Sequence, residues 1–444
     1  MPTTTDPIAQ DVDDIPIYRE GPTDLASYDA FQADPVGFHL RAFRALGPIY
    51  RTWFRNKLWV VLAGLEANDF VWRNSRIWSY RVANATLRDE LGPDHLTGLD
   101  GEEHRLKRSV LKAAFDQAPS FRYLPQFSAL FAATLAEVAG QPVDLVGFWS
   151  YAITKANSRT VAQAEIPDQT LRNMARFENQ MLRGAFLDDG RSSFIVQENY
   201  RRLKADTFLW LNRILDDRLA HPGAHDDNAE LAFQARRAEQ GAAARRDQFL
   251  NDLYLILVAG TDNTTALINW ALFYTFRNPA WLGRLRAELD AWDGKDPMAV
   301  AQMSCLKATV METQRLRPGS PFVLSKHAGE AFTFSGYAIP GGTDVVHAYV
   351  LGQFLEEHYP DPFDFRPERF LENGKFVPKS FGFFGGGTHV CVGRNLTMMQ
   401  APLAIAHAVR GYDLELEAEP QFDLKVGSAG RRLDEQIMAR LKPR

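Results

Sequence analysis

The segment Phe381 to Arg394 constrains this chain most. It crowds five glycines around one cysteine, Cys391, just before a helical pattern running from about Asn395 to Val409. A thiol ahead of a helix meets unpaired N–H groups and the positive end of the helix dipole. Both favour the thiolate, which is the form that ligates metal. Glycines before and after the cysteine, Gly385 and Gly393 among them, let the backbone approach a flat ligand where a Cβ would clash. Phe384 is placed to shield the sulfur from water, and His389 to donate to an anionic group of the same ligand. These demands match an iron porphyrin with a cysteine axial ligand.

Other readings of the loop fail on residue type or spacing. A phosphate-binding loop needs Gly-Lys followed by Ser or Thr, whereas Gly393 is followed by Arg394 and Asn395. The glycines are also wrongly spaced for a dinucleotide fingerprint. A bland buried cysteine is the default for an isolated residue, and Cys305, between Ser304 and Leu306, is read that way.

Composition narrows the setting. The chain has 444 residues, 45% hydrophobic and 24% charged, with a net charge of -5, which suits a globular protein and argues against nucleic acid as a partner. Two cysteines make no disulfide framework, the first residues lack a signal-peptide pattern, and no apolar run is long enough to span a bilayer. The expected compartment is therefore cytoplasmic.

Periodicity gives a mainly α chain with small β-sheets (α+β) and no clear linker, read as one domain over 1–444 with a loose arm over 1–18. Residues Ile49 to Leu62 alternate around Arg55 and Asn56 as a two-stranded hairpin. From Leu65 to about Asn278 the pattern is helical, with polar breaks at Val82–Asp100, Asp188–Ser193 and His221–Asn228. Strands are expected at Pro321–His327, Ala331–Phe334 and Val345–Ala348.

With its neighbours, the Cys391 segment resembles the haem-binding signature of the cytochrome P450 family, F-x-x-G-x-H/R-x-C-x-G. Phe384, Gly387, His389, Cys391 and Gly393 fill each defined position. The resemblance implies that family's haem-thiolate fold, a triangular helical domain with a long central helix. It also implies haem b with the Cys391 thiolate as axial metal ligand, and cofactor contacts from Phe384, Gly385, His389 and Gly393.

Three further segments agree in order. Glu312 and Arg315 form an E-x-x-R pair on one helix face, and Arg369, in Phe365–Phe370, matches the arginine that joins this pair in the family. The resemblance makes them a buried network supporting the haem loop; alone, such pairs are common on solvated surfaces. Asp100 and Glu103 read as a capping box opening a helix that carries His104 and Arg108 four apart. In the family such a pair holds a haem propionate, and Lys326 falls where an arginine often reaches the other. Arg105, Lys107 and Lys112 are read as a basic stripe that docks an acidic electron-transfer partner, so charge reversal at Arg105 and Lys112 should slow reduction and flatten its salt dependence.

Gln248 to about Arg277 reads as one long helix, apolar on all sides over Leu253–Ala259 and then broken by Gly260, Asp262 and several hydroxyls. Such a local violation inside a buried helix marks function, although a kink with satisfied side chains would look the same. The segment resembles the family's A-G-x-D/E-T-T, which opens a groove beside the iron and delivers protons to dioxygen. Ala259, Gly260 and Asp262 match, whereas Asn263 stands where an alcohol is usual, with Thr264 following. An amide does not relay a proton as a hydroxyl does. A water held by Asn263, a polar group of the substrate, or Thr264 is left to complete the relay.

The resemblance implies a monooxygenase that uses O2 and electrons from a ferredoxin-like donor and its reductase to hydroxylate a lipophilic or aromatic small molecule, with Asp262, Asn263 and Thr264 handling protons. A haem-thiolate peroxygenase is the alternative that Asn263 permits. A haem-binding module without turnover is the third class, opposed by the retained groove motif. The expected lining spans Ser79–Gly98, Met181–Ile195, Leu253–Asn263 and Pro321–Ser325.

Overall fold

The computed structural model describes residues 10–54, 57–186, 196–318, 324–417 and 437–444. Helices α1 (Asp24–Ala33) and α2 (Pro35–Leu46) precede the hairpin of β1 (Ile49–Phe54) and β2 (Lys57–Ala63). Next come α3 (Gly64–Arg73), α4 (Tyr80–Ala83), α5 (Ala85–Leu91), α6 (Gly101–Phe115), α7 (Gln117–Phe121) and α8 (Leu124–Glu137). Strand β3 (Pro142–Asp144) leads to α9 (Leu145–Arg159), α10 (Asp168–Phe186), α11 (Glu198–Ala220) and α12 (Asn228–Gln240). The central helices are α13 (Arg246–Leu257) and α14 (Thr261–Phe276), followed by α15 (Pro279–Asp290), α16 (Pro297–Val300) and α17 (Ser304–Leu316). Strands β4 (Leu324–His327), β5 (Phe332–Phe334), β6 (Tyr337–Ile339) and β7 (Asp344–Ala348) come before α18 (Glu368–Asn373), α19 (Arg394–Gly411), β8 (Tyr412–Leu416) and β9 (Met438–Pro443).

Helix α14 lies in the interior against α9, α17 and α19. Leu267, Ile268, Ala271 and Leu272 on it are all buried, as an all-round apolar helix requires. The main sheet has the order β1-β2-β7-β4. In it, β2 pairs parallel to β7 with Val60 opposite Val345, and its buried end feeds a separate apolar cluster from that of the helices. Sheets β3-β9-β8 and β5-β6 complete the β structure.

Several expectations need correction. The helix expected over Gln248–Arg277 is two helices, because the Tyr254 carbonyl accepts from both Val258 N (2.9 Å) and Ala259 N (3.3 Å). That five-residue bond widens the turn at the least helix-prone residue, Gly260. The stretch Val82–Asp100 holds the end of α4 and all of α5. Residues 10–18 are not loose: Gln10 bridges Tyr337, Ile17 bridges Arg51, and Ile15 is buried. The break at Asp188–Ser193 lies outside the described residues. The hairpin, the strand ends at His327 and Ala348, and buried Cys305 stand as expected. No helix among the described residues is long and apolar enough to cross a membrane.

Candidate active site

The cysteine loop closes on itself. Cys391 N donates to Phe384 O at 2.8 Å and Gly385 N to Gly382 O at 2.8 Å. Gly385 (φ +69°) and Gly387 (φ +64°) hold the left-handed conformations this fold-back needs. A Cβ at Gly386 would overlap the Trp72 ring, and one at Gly387 the Trp72 carbonyl, so these glycines clear helix α3. At Gly393 a Cβ would lie 4.0 Å from the Cys391 sulfur. The thiol is exposed, but to a cavity of about 800 Å³ that Phe384, Val392 and Leu396 also line. Burial pushes the thiol up, while the N–H groups of Gly393 and Arg394 and the charges of Arg108 and Arg394 pull it down.

The loop is anchored from below. Arg315 donates to both oxygens of Glu312, each at 2.8 Å, and Arg369 Nε donates to Glu312 at 3.2 Å. Both members of the first pair are fully buried. Arg315 also donates to the carbonyls of Gln353 (2.8 Å) and Pro362 (2.6 Å). Gln353 donates to Arg315 O at 2.6 Å and accepts from Gly382 N at 3.0 Å. Sequence reasoning missed Gln353; no local pattern marks it, because its partners come from α17 and from the cysteine loop.

One cavity wall is cationic. His389 is stacked between Tyr80 (ring centroids 3.5 Å apart) and His104 (3.7 Å), and Lys326 Nζ lies 4.3 Å above the Tyr80 ring. His104 Nε2 is buried without a hydrogen-bond partner, and neither Lys326 nor Arg108 has an ion-pair partner among the described residues. Burial lowers Lys326 to about 8, His104 to about 4 and His389 to about 2, the positive neighbours adding to the effect on both histidines. A wall of unmatched donors beside a thiol and flexible glycines fits a flat prosthetic group that carries carboxylates.

Helix α6 differs from expectation in two ways. The Asp100 side chain does not cap it; the carboxylate accepts instead from Tyr80 N at 2.6 Å and Ser79 Oγ at 3.0 Å, which fixes α4 over the cavity. Lys107 is not on a surface stripe. It is buried, paired with Asp252 of α13, which Arg236 of α12 also binds, and it donates to Asn251 at 3.0 Å. Arg105 and Lys112 do reach the surface, where they pair with Glu102 and Asp116.

Across the cavity, Ala259, Gly260, Asn263 and Thr264 line the wall. Asp262 is buried and does not line it; its carboxylate accepts from Asn179 of α10 at 2.9 Å. The Thr264 hydroxyl donates to Gly260 O at 2.8 Å and lies 3.3 Å from Thr397 Oγ1. The expected lining is met at Tyr80, Leu87, His95, Leu96, Met181, Leu255 and Ser325, while 187–195 and 319–323 lie outside the described residues.

A family model described as cytochrome P450 matches residues 28–429. The chain is similar to the flavonoid 3'-monooxygenase of Petunia hybrida, 34% identical over 36% of this chain and 34% of that one. It is also similar to ferruginol synthase of Salvia miltiorrhiza, 31% identical over 47% of this chain and 44% of that one. These matches thus span about a third to under half of the plant proteins. A putative cytochrome P450 135B1 of Mycobacterium tuberculosis (strain ATCC 25618 / H37Rv) is 26% identical over 77% of this chain and 73% of its own. Among solved structures, a retinoic acid-bound cyanobacterial CYP120A1 superposes with a TM-score of 0.80 at 20% identity, covering 97% of this chain and 100% of the other. That likeness carries the fold, which is the mainly helical one expected.

Proposed function

This chain belongs to the cytochrome P450 family, and from that premise we propose that it is a monooxygenase of lipophilic small molecules. The family's prosthetic group is haem b held through a cysteine thiolate. We assign that ligand to Cys391. The observation that carries the reading is a cavity with the Cys391 thiol on one wall and the opened turn Val258–Gly260 with Asn263 on another.

Bound haem supplies dioxygen binding and its reductive activation, chemistry that side chains alone lack. The chain's own residues do the rest. Arg108, His104, His389 and Lys326 hold the propionates, which gives their unmatched donors acceptors. Phe384, Gly385 and Gly393 would pack around the thiolate that holds the group, and Ala259 and Gly260 would leave room for what it binds. Asp262 passes protons toward the groove, with Asn179 fixing its carboxylate. Asn263 orients water at the cavity wall, and Thr264 steadies the opened turn through Gly260 O. Leu87, Leu255 and Met181 give an apolar surface that excludes water and binds a lipophile.

Electrons are assigned to a ferredoxin-like donor and its reductase, with Arg105 and Lys112 left on the α6 surface to meet an acidic partner. The test is turnover of a lipophilic substrate with that pair under 18O2. One labelled oxygen in the product is expected, and product without label sinks the proposal. Asn263 at the cavity wall favours one second reading, a peroxygenase. Faster turnover with hydrogen peroxide than with the reductase would select it.

A further inference from the structure

One corner of the cavity is polar in a way that the haem does not use. Glu178 of α10 is buried, with 1% of its surface exposed, and lines the cavity. Its carboxylate accepts the phenol hydroxyl of Tyr254, which also lines the cavity from α13. His95, 4% exposed, lines the same space; its Nδ1 meets Thr97 Oγ1 at 2.8 Å, and its ring packs edge-on to Tyr254 with centroids 6.1 Å apart. His95 Nε2 is buried and has no hydrogen-bond partner among the described residues. The other α10 positions that line the cavity, Met181, Leu182 and Ala185, are apolar, and α5 adds Leu87 and Leu91 beside Ala85 and Thr86.

We propose that the substrate carries a hydroxyl group, and that Tyr254, Glu178 and His95 bind it and thereby choose which end of the molecule faces Cys391. The phenol gives its only proton to Glu178, so its oxygen is left with a lone pair for a donor. The imidazole nitrogen accepts or donates according to its tautomer, and a hydroxyl serves either. Burial and the charge of Lys107 lower His95 to about 3, so the ring is neutral and offers no cation to an anionic ligand. A carboxylate in this corner would face Glu178. A plain hydrocarbon would leave Nε2 unpaired, with nothing to offset its burial.

Tyr254 also joins this corner to the groove, since its carbonyl is the double acceptor that opens the turn at Val258–Gly260. The inference rests on the oxygenase reading only in calling the ligand a substrate. Its test is therefore equilibrium binding without reductant.

The haem-loaded protein is titrated calorimetrically with adamantane, 1-adamantanol, 1-adamantanecarboxylate and 1-adamantanamine. The alcohol should bind at least about ten-fold tighter than the hydrocarbon and the carboxylate. In His95→Leu and in Tyr254→Phe, each checked for an unchanged Soret band and melting temperature, that preference should shrink to within about three-fold. Equal binding of alcohol and hydrocarbon overturns the proposal, as does a preference that survives both substitutions or tightest binding of the amine. A chain that gives no thiolate-type carbon monoxide spectrum would instead defeat the oxygenase reading, and the binding preference would still be measurable.

Discussion

The side-chain amide of Asn179 donates to the Asp262 carboxylate at 2.9 Å, tying the acid beside the opened turn to helix α10. Asp262 is thus held behind the cavity wall that Asn263 forms. In the proton-handling role proposed for it, a group set back from the cavity needs a carrier, and it also needs its position fixed.

Asp262→Asn should lower turnover by about a hundred-fold, the ordinary scale for a lost acid–base group, and leave substrate binding unchanged. Asn179→Ala should have a smaller effect in the same direction and raise the solvent isotope effect. Steady-state turnover in H2O and D2O checks both; an unchanged isotope effect in Asn179→Ala would mean that the bond to Asp262 is structural only.

Asn263→Thr restores a hydroxyl at the cavity wall. Product formed per reductant consumed should change by about two-fold or more, because a hydroxyl relays protons and an amide does not. Parallel measurement of NADH oxidation and product decides it. Unchanged coupling would remove Asn263 from proton delivery.

The anchor under the cysteine loop has two separable layers. Glu312→Ala leaves Arg315 buried without its counter-charge and should cost about 3–5 kcal/mol, enough to deplete folded protein. Gln353→Leu removes the acceptor of Gly382 N and the amide donor shared by Arg315 O and, at 3.4 Å, Gln314 O, a loss of about 1–3 kcal/mol. The second variant should fold yet transfer haem to apomyoglobin faster than the parent. Transfer at the parent rate would detach Gln353 from the loop.

Acid should destabilise the protein through histidines remote from the haem loop. Burial lowers His39 to about 3, and burial with the charge of Arg410 lowers His407 to about 4. Below the ordinary histidine value the unfolded chain takes up protons that the folded one refuses, so stability is full above about pH 6.5 and is lost as pH falls through that window. Denaturant unfolding from about pH 6 to 4 should lose up to about 3 kcal/mol per such histidine. His39→Phe should flatten that slope by about one proton.

The sequence alone determined whatever is encoded within a few residues. The Cys391 loop, the hairpin around Arg55 and Asn56, the Glu312–Arg315 spacing and the interior character of Leu253–Ala259 were all legible, because glycine freedom and side-chain periodicity are local properties. What a polar side chain meets was decided by tertiary structure. Lys107 reads as one more surface cation until α13 brings Asp252, distant in sequence, against it. Asp100 reads as a cap until Ser79 and the start of α4 offer it three N–H and O–H donors. Gln353 and Glu178 carry no local mark at all, and His95 is marked only as one of twenty residues of expected lining. Their roles arise where elements far apart in sequence close around the cavity or beneath the cysteine loop, since burial there makes an unmatched polar atom costly and a matched one specific.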